Sequence, residues 1–150
     1  MMKMTKQWSL ALAVLSAATA AQAREVKVSM LPLEDTVQMG IREGKLDGSV
    51  RFYLSGAPVP QLADQPLGEE YLHRRTSNIG KELVFACHWA ALAGLMALQE
   101  NAKKRGANAV VDLHSFYNEK TVKDPARFEC NQTSYQTIVA FKGTYARTAP

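Results

Sequence analysis

The chain has 150 residues, which suits one domain, and 47% of them are apolar, enough for one modest core. Its formal charge is +4, from 18 basic and 14 acidic residues. So small an excess argues against a nucleic-acid or membrane-surface binder, whose partners demand a strong basic field.

The opening segment reads as an address. "MMKMTKQW" carries Lys3 and Lys6, "SLALAVLSAATA" is a short Ala-rich apolar run, and "AQA" at Ala21 to Ala23 fits a small-x-small cleavage site. The expectation is a signal peptide over residues 1–23, cut between Ala23 and Arg24, followed by a single domain over 24–150. Cleavage leaves 16 of the 18 basic residues against 14 acidic ones. The apolar run is too short for a convincing span, so no membrane insertion is expected after cleavage. The first cysteine is Cys87, so no lipid anchor is expected at the new N-terminus.

Val26, Val28 and Met30 alternate in "EVKVSML" and predict a short strand, ended by Pro32. Leu33, Val37 and Ile41 then recur at the spacing of one helix face. Glu34 and Asp35 start that helix and Arg42 and Lys45 finish it, each sign matching the dipole. Gly44 is the expected stop, and Gly40 inside the helix weakens it. Val50, Phe52 and Leu54 alternate with Arg51 and Tyr53, a half-buried strand. A loop with three prolines follows, over residues 57–68. Glu70 to Asn78 reads as a polar edge strand with Tyr71, His73 and Arg75 on one face; charge suits an edge because it blocks unwanted pairing.

The central element is Lys81 to Arg105, a helix apolar nearly all round for four turns. Such a helix is expected to be buried on more than one face. Val84, Cys87, Ala91, Leu95, Leu98 and Ala102 make one stripe; Phe85, Trp89, Leu92 and Met96 make its neighbour. Ala90, Ala93, Gly94 and Ala97 are small enough for another element to approach. Lys103, Lys104 and Arg105 suit the negative end of the dipole, and Gly106 suits a left-handed stop. "ANAVVDLHSFY" is then a strand, with Val111, Leu113 and Tyr117 on one face and Val110, Asp112, His114 and Phe116 on the other. A polar loop holds Pro125 and Cys130. In the last strand Tyr135, Thr137, Val139, Phe141 and Tyr145 share a face. The pattern is an α+β fold: a mostly antiparallel sheet packed on one long helix, with a shorter helix near the mature N-terminus. In an oxidising compartment the two cysteines, Cys87 and Cys130, are expected to pair.

"ACHWAALAGLMALQENAKKRGANAVVDLHSFY", then "FEC" and "IVAFKGTYAR", resembles a group of small exported bacterial proteins of unknown function. The likeness runs from about Val50 to Arg147 and is most specific at Cys87, Trp89, Ala90, Gly106 to Val111, and Glu129-Cys130. Members often carry an excinuclease ABC label, or that of the excinuclease ATPase. The residues contradict it. Such an ATPase needs G-x-x-x-x-G-K-[ST], and the nearest stretch, "GIREGKL", is one residue short and lacks the hydroxyl. More distantly, the helix, the "GANA" turn and the strand resemble the YbjQ and RcsF fold, which implies an analogy of fold alone.

Chemistry-bearing groups are few. Asp112 and His114, two apart on a strand, project from one face and could orient a base or begin a metal site. His73 or His88 could join only if the fold brings them close, and zinc needs three or four ligands. No G-x-S-x-G occurs for a nucleophilic serine, and Ser115 lies on the strand face opposite His114. His73, Arg74 and Arg75 could join Lys103, Lys104 and Arg105 in a basic patch, and Tyr53, Phe116, Tyr117, Tyr135 and Tyr145 could offer an aromatic surface. The expectation is an exported, disulfide-stabilised binding or interaction domain with an envelope protein partner, with no catalytic residue or cofactor assigned. The alternatives are a periplasmic metal-binding protein using His114 and Asp112, and a small hydrolase.

Overall fold

The computed structural model describes residues 25–150. The expected signal peptide and its cut between Ala23 and Arg24 lie outside the described residues. The elements are β1 (Lys27–Pro32), α1 (Leu33–Arg42), β2 (Arg51–Leu54), β3 (Glu69–Ser77), α2 (Leu83–Lys104), β4 (Ala109–Ser115), β5 (Arg127–Gln132) and β6 (Gln136–Ala146). They form an α+β fold in which two helices accompany a curled sheet of six strands.

β6 is the centre of the sheet. One of its edges pairs with β3 along the whole of that strand, from Glu69↔Thr144 to Ser77↔Gln136. Its other edge forks. The first half takes β5 at Asn131↔Ile138 and Gln132↔Thr137, and β5 in turn takes β1. The second half takes β4, which takes β2. Ser115 closes the fork, because its hydroxyl accepts the Glu129 N–H at 2.8 Å while Phe116 N–H reaches the Ala140 carbonyl at 3.1 Å. The expected antiparallel sheet is met only in part: β2 runs parallel to β4. The chain between them contains β3 and α2, long enough for the crossover that parallel pairing requires.

α2 lies across β6 and β3. Glu82 caps its start by accepting the Val84 and Phe85 N–H groups, and its end is a Schellman turn. There Gly106 N–H bonds Lys103, Ala107 N–H bonds Ala102, and Gly106 sits at φ +70°. Val84 is exposed, but Cys87, Ala91, Leu95, Leu98 and Ala102 of its stripe are buried, as the stripe predicts. The second stripe is not: Leu92 is buried, but Phe85 and Trp89 are 47% and 40% exposed. One face of α2 therefore stays in solvent, although its length and hydropathy would also let it cross a bilayer. Cys87 and Cys130 form a disulfide that ties α2 to β5, with both residues buried. Closing a loop of 43 residues contributes about 4 kcal/mol in the chain-entropy account.

α1 is turned from its expected face. Leu33, Thr36 and Gly40 are buried, whereas Ile41 is 46% exposed. The reason is close approach. A methyl on Gly40 would meet Leu92 Cδ1 at 2.6 Å and Leu46 Cδ1 at 2.7 Å, so glycine lets α1 settle on α2 without moving those side chains. The two helices are also pinned by Thr36 Oγ1 and His88 Nδ1, 2.7 Å apart. Phe128 meets the half-buried His88 ring edge-on at 5.9 Å.

Burial lowers the His88 pKa below its ordinary 6.5, with Asp35 and Glu82 pulling part of the way back. The folded protein thus resists a proton that the unfolded chain accepts. Stability is complete above about pH 6.5 and is lost as pH falls from there through the lowered folded value. The unfolding free energy in urea is expected to drop between neutral and mildly acid pH, and His88→Gln to flatten that drop. Parallel profiles for the two proteins would assign the acid sensitivity elsewhere.

Candidate functional site

The outer face of the sheet, away from α2, brings together Tyr71, His73, Arg75, His114 and Phe116. Alternation along β3 puts Leu72 under α2 and Tyr71, His73 and Arg75 outside. Register places Tyr71 opposite Lys142 on β6, and His114 of β4 lies opposite Lys142 from the other side. Phe116 is the hub. Tyr71 meets its ring edge-on at 5.3 Å, His114 does so at 6.4 Å, and Lys142 Nζ sits 4.8 Å over it. Lys142 also pairs with Glu69 at 3.2 Å.

Beside this cluster runs a cleft of about 380 Å³, lined by Tyr71, His73, Arg75, Tyr117, Asn118, Glu119 and Ile138. Its far wall is a 3-10 turn, Tyr117–Glu119, in which Asn118 and Glu119 have φ +50° and +61°. Asn tolerates a left-handed conformation, whereas it costs Glu119 about 1 kcal/mol or more. The wall is therefore built in part from backbone that local preference disfavours. A roomier cleft of about 450 Å³ lies between α1 and β2, but it holds no imidazole, and Glu34 there is bonded to Gln38 at 2.7 Å.

Asp112 and His114 do not form the expected pair. Asp112 occupies a bulge between the Val111 and His114 pairings, with φ +49°. The bulge breaks the alternation, so Val110 and Leu113 both point to the core and contact the Gly143 position. The Asp112 carboxylate bonds the Ser55 hydroxyl and, at 3.3 Å, Lys123. The Ser55 bond first, and Lys123 after it, hold that carboxyl below its usual range against the pull of burial. His114 is buried and its Nδ1 lies 2.6 Å from the Asp112 carbonyl. A carbonyl only accepts, so Nδ1 carries the proton.

This arrangement offers little to a metal or a nucleophile. Among the described residues no group of three His, Cys, Asp or Glu side chains could hold a metal ion. The sheet separates His73 from His88, which faces α1 and Phe128. Ser115 is buried and its hydroxyl serves the Glu129 N–H. Among the described residues the one hydroxyl–imidazole hydrogen bond is Thr36–His88, where Thr36 is wholly buried.

The expected basic patch is also dispersed. Lys103 is bound to Asp47, Lys104 to Glu100 at 2.9 Å, and the Arg105 guanidinium stacks 4.7 Å over Tyr145. Of the aromatic set, Tyr145 is core and gives its hydroxyl to Glu70, and burial with that bond raises its pKa. Tyr71, 48% exposed, and Phe116 with Tyr117 are what the outer face presents. The chain matches no family model and no curated sequence.

The bulge makes a checkable demand. Asp112→Asn keeps a side chain that tolerates φ +49°, whereas Asp112→Val adds β-branching there and removes the Ser55 and Lys123 contacts. We expect Asp112→Val to cost about 1–3 kcal/mol and Asp112→Asn well under half of that, by urea denaturation. Equal losses would mean that the carboxylate, not the backbone, sets the requirement.

Proposed function

We propose that the protein is an exported, disulfide-stabilised interaction domain of the bacterial envelope, and that it recognises a protein partner through β3 and the adjoining outer-face cleft. The buried Cys87–Cys130 bond suits an oxidising compartment. The leader-like sequence over residues 1–23 and the likeness to small exported bacterial proteins support the same address.

One observation carries the choice of surface. Tyr71, His73 and Arg75 stand together on an exposed strand beside a cleft, and no hydrogen bond or ion pair of the Arg75 side chain is formed among the described residues. An exposed tyrosine next to uncommitted arginine is the composition of an interface anchor. The dispersal of catalytic groups favours binding over hydrolysis, because no imidazole reaches an accessible hydroxyl among the described residues.

The test is site-specific photocrosslinking in living cells. A photoreactive residue at Tyr71 is expected to capture a protein, another envelope component or a second copy, and one at exposed Lys45 is expected to capture none. Indistinguishable products at the two positions would remove the proposed surface.

A further inference from the structure

β3 is an edge strand with an ordered charge sequence. It reads Glu69-Glu70-Tyr71-Leu72-His73-Arg74-Arg75, two acids and two bases placed symmetrically about Leu72. An edge charged only to repel neighbours needs no such order.

The backbone says which residues face outward. Gly68 accepts from Tyr145 N–H, and Asn78 donates to the Tyr135 carbonyl. Both residues fall in the β3–β6 register, so the even-numbered residues of β3 turn their N–H and C=O groups to β6. Glu69, Tyr71, His73, Arg75 and Ser77 turn theirs to the open edge. The His73 carbonyl confirms this, since its partner at 2.9 Å is the Arg74 guanidinium rather than β6. Among the described residues no strand pairs with that edge.

We propose that the partner at this edge is a second copy of the chain, paired antiparallel through β3 about a two-fold axis at Leu72. This inference rests on the reading of β3 as the interaction surface. In that register Glu69 opposes Arg75 of the second copy, Glu70 opposes Arg74, Tyr71 opposes His73, and Leu72 opposes itself. Odd residues meet odd residues, so their outward N–H and C=O groups exchange hydrogen bonds. Opposed residues share a face, so Glu69, which also pairs with Lys142, meets Arg75 on the outer face, and Glu70, which also takes Asn101 and Tyr145, meets Arg74 on the helix face. Moving the axis to His73 sets Leu72 against Arg74 and strands both glutamates. Moving it to Tyr71 carries both arginines past the end of the strand.

The helices fit the same geometry. α2 lies over β3 as well as β6, so pairing the two β3 strands brings both copies of α2 to the same face of the extended sheet. Gly94 and Asn101 of α2 touch β3, and the half-buried Ala93 and Ala97 beside them leave room for the approach.

The test is light-scattering mass with a charge exchange on the intact, oxidised protein. The wild type is expected at twice the chain mass at micromolar concentration. Arg75→Glu sets like charges opposite each other, and so does Glu69→Arg, so each variant alone is expected at the chain mass. An equimolar mixture of the two restores both pairings and is expected to regain the doubled mass. Both residues are exposed, and circular dichroism with a melting curve checks that each variant folds. A monomeric wild type overturns the inference, as does a dimer indifferent to both substitutions or a mixture that stays monomeric. A monomer that still crosslinks through Tyr71 to a different protein overturns the second copy alone. A monomer with no Tyr71 product removes the interaction surface as well.

Discussion

Everything in this fold depends on how closely α2 lies on β6. At Gly94 the helix backbone comes so near the sheet that a methyl there would meet the Phe141 ring at 3.0 Å and Leu72 at 3.3 Å. Ala91 and Ala102, both wholly buried, keep the same contact short. Cys87–Cys130 then fastens the helix to β5. Small residues bury less apolar area than leucines, so such a contact is weak in area and strong in fit. A covalent tie that lowers the entropy of the unfolded chain is a natural complement in a domain of this size.

That seating divides the molecule into two unlike faces. On the helix side several polar groups are tied into the structure, as when Glu70 takes Asn101 and Tyr145, or Gln132 reaches the Leu83 carbonyl. The other side is not closed in the same way. Phe116 collects Tyr71, His114 and Lys142 around its ring, and a strained turn forms the cleft wall beside them. Strain and open polar edges persist where something other than stability benefits. The recognition role proposed above is therefore better placed on β3 and its cleft than at the Asp112–His114 step, whose groups are turned on their own neighbours.

The elements that could be read from sequence are those whose signal is local. α2 announces itself by an apolar run, a basic last turn and Gly106, whereas β3 shows only a charge pattern that suits an edge, with Leu72 its one buried residue. What could not be read depends on partners. Gly40 looked like a defect in α1, yet it is the point where α1 touches Leu92 and Leu46. The Asp112 bulge leaves no mark in the hydrophobic pattern, because Val110, Val111 and Leu113 satisfy either face assignment until the strand partner fixes the register. The parallel sense of β2 is likewise a property of the crossover. The exposed Phe85 and Trp89, stacked at 6.0 Å, show that an apolar residue on a helix need not mark the core.

The proposed domain leaves the cytoplasm and folds around an oxidised cysteine pair. The most direct measurement is the intact mass of the protein recovered from the periplasm of an expressing bacterium. The recovered protein is expected to begin at Arg24 and to be lighter by two hydrogens than its reduced form. A chain that still carries residues 1–23, with Cys87 and Cys130 both free, would contradict it.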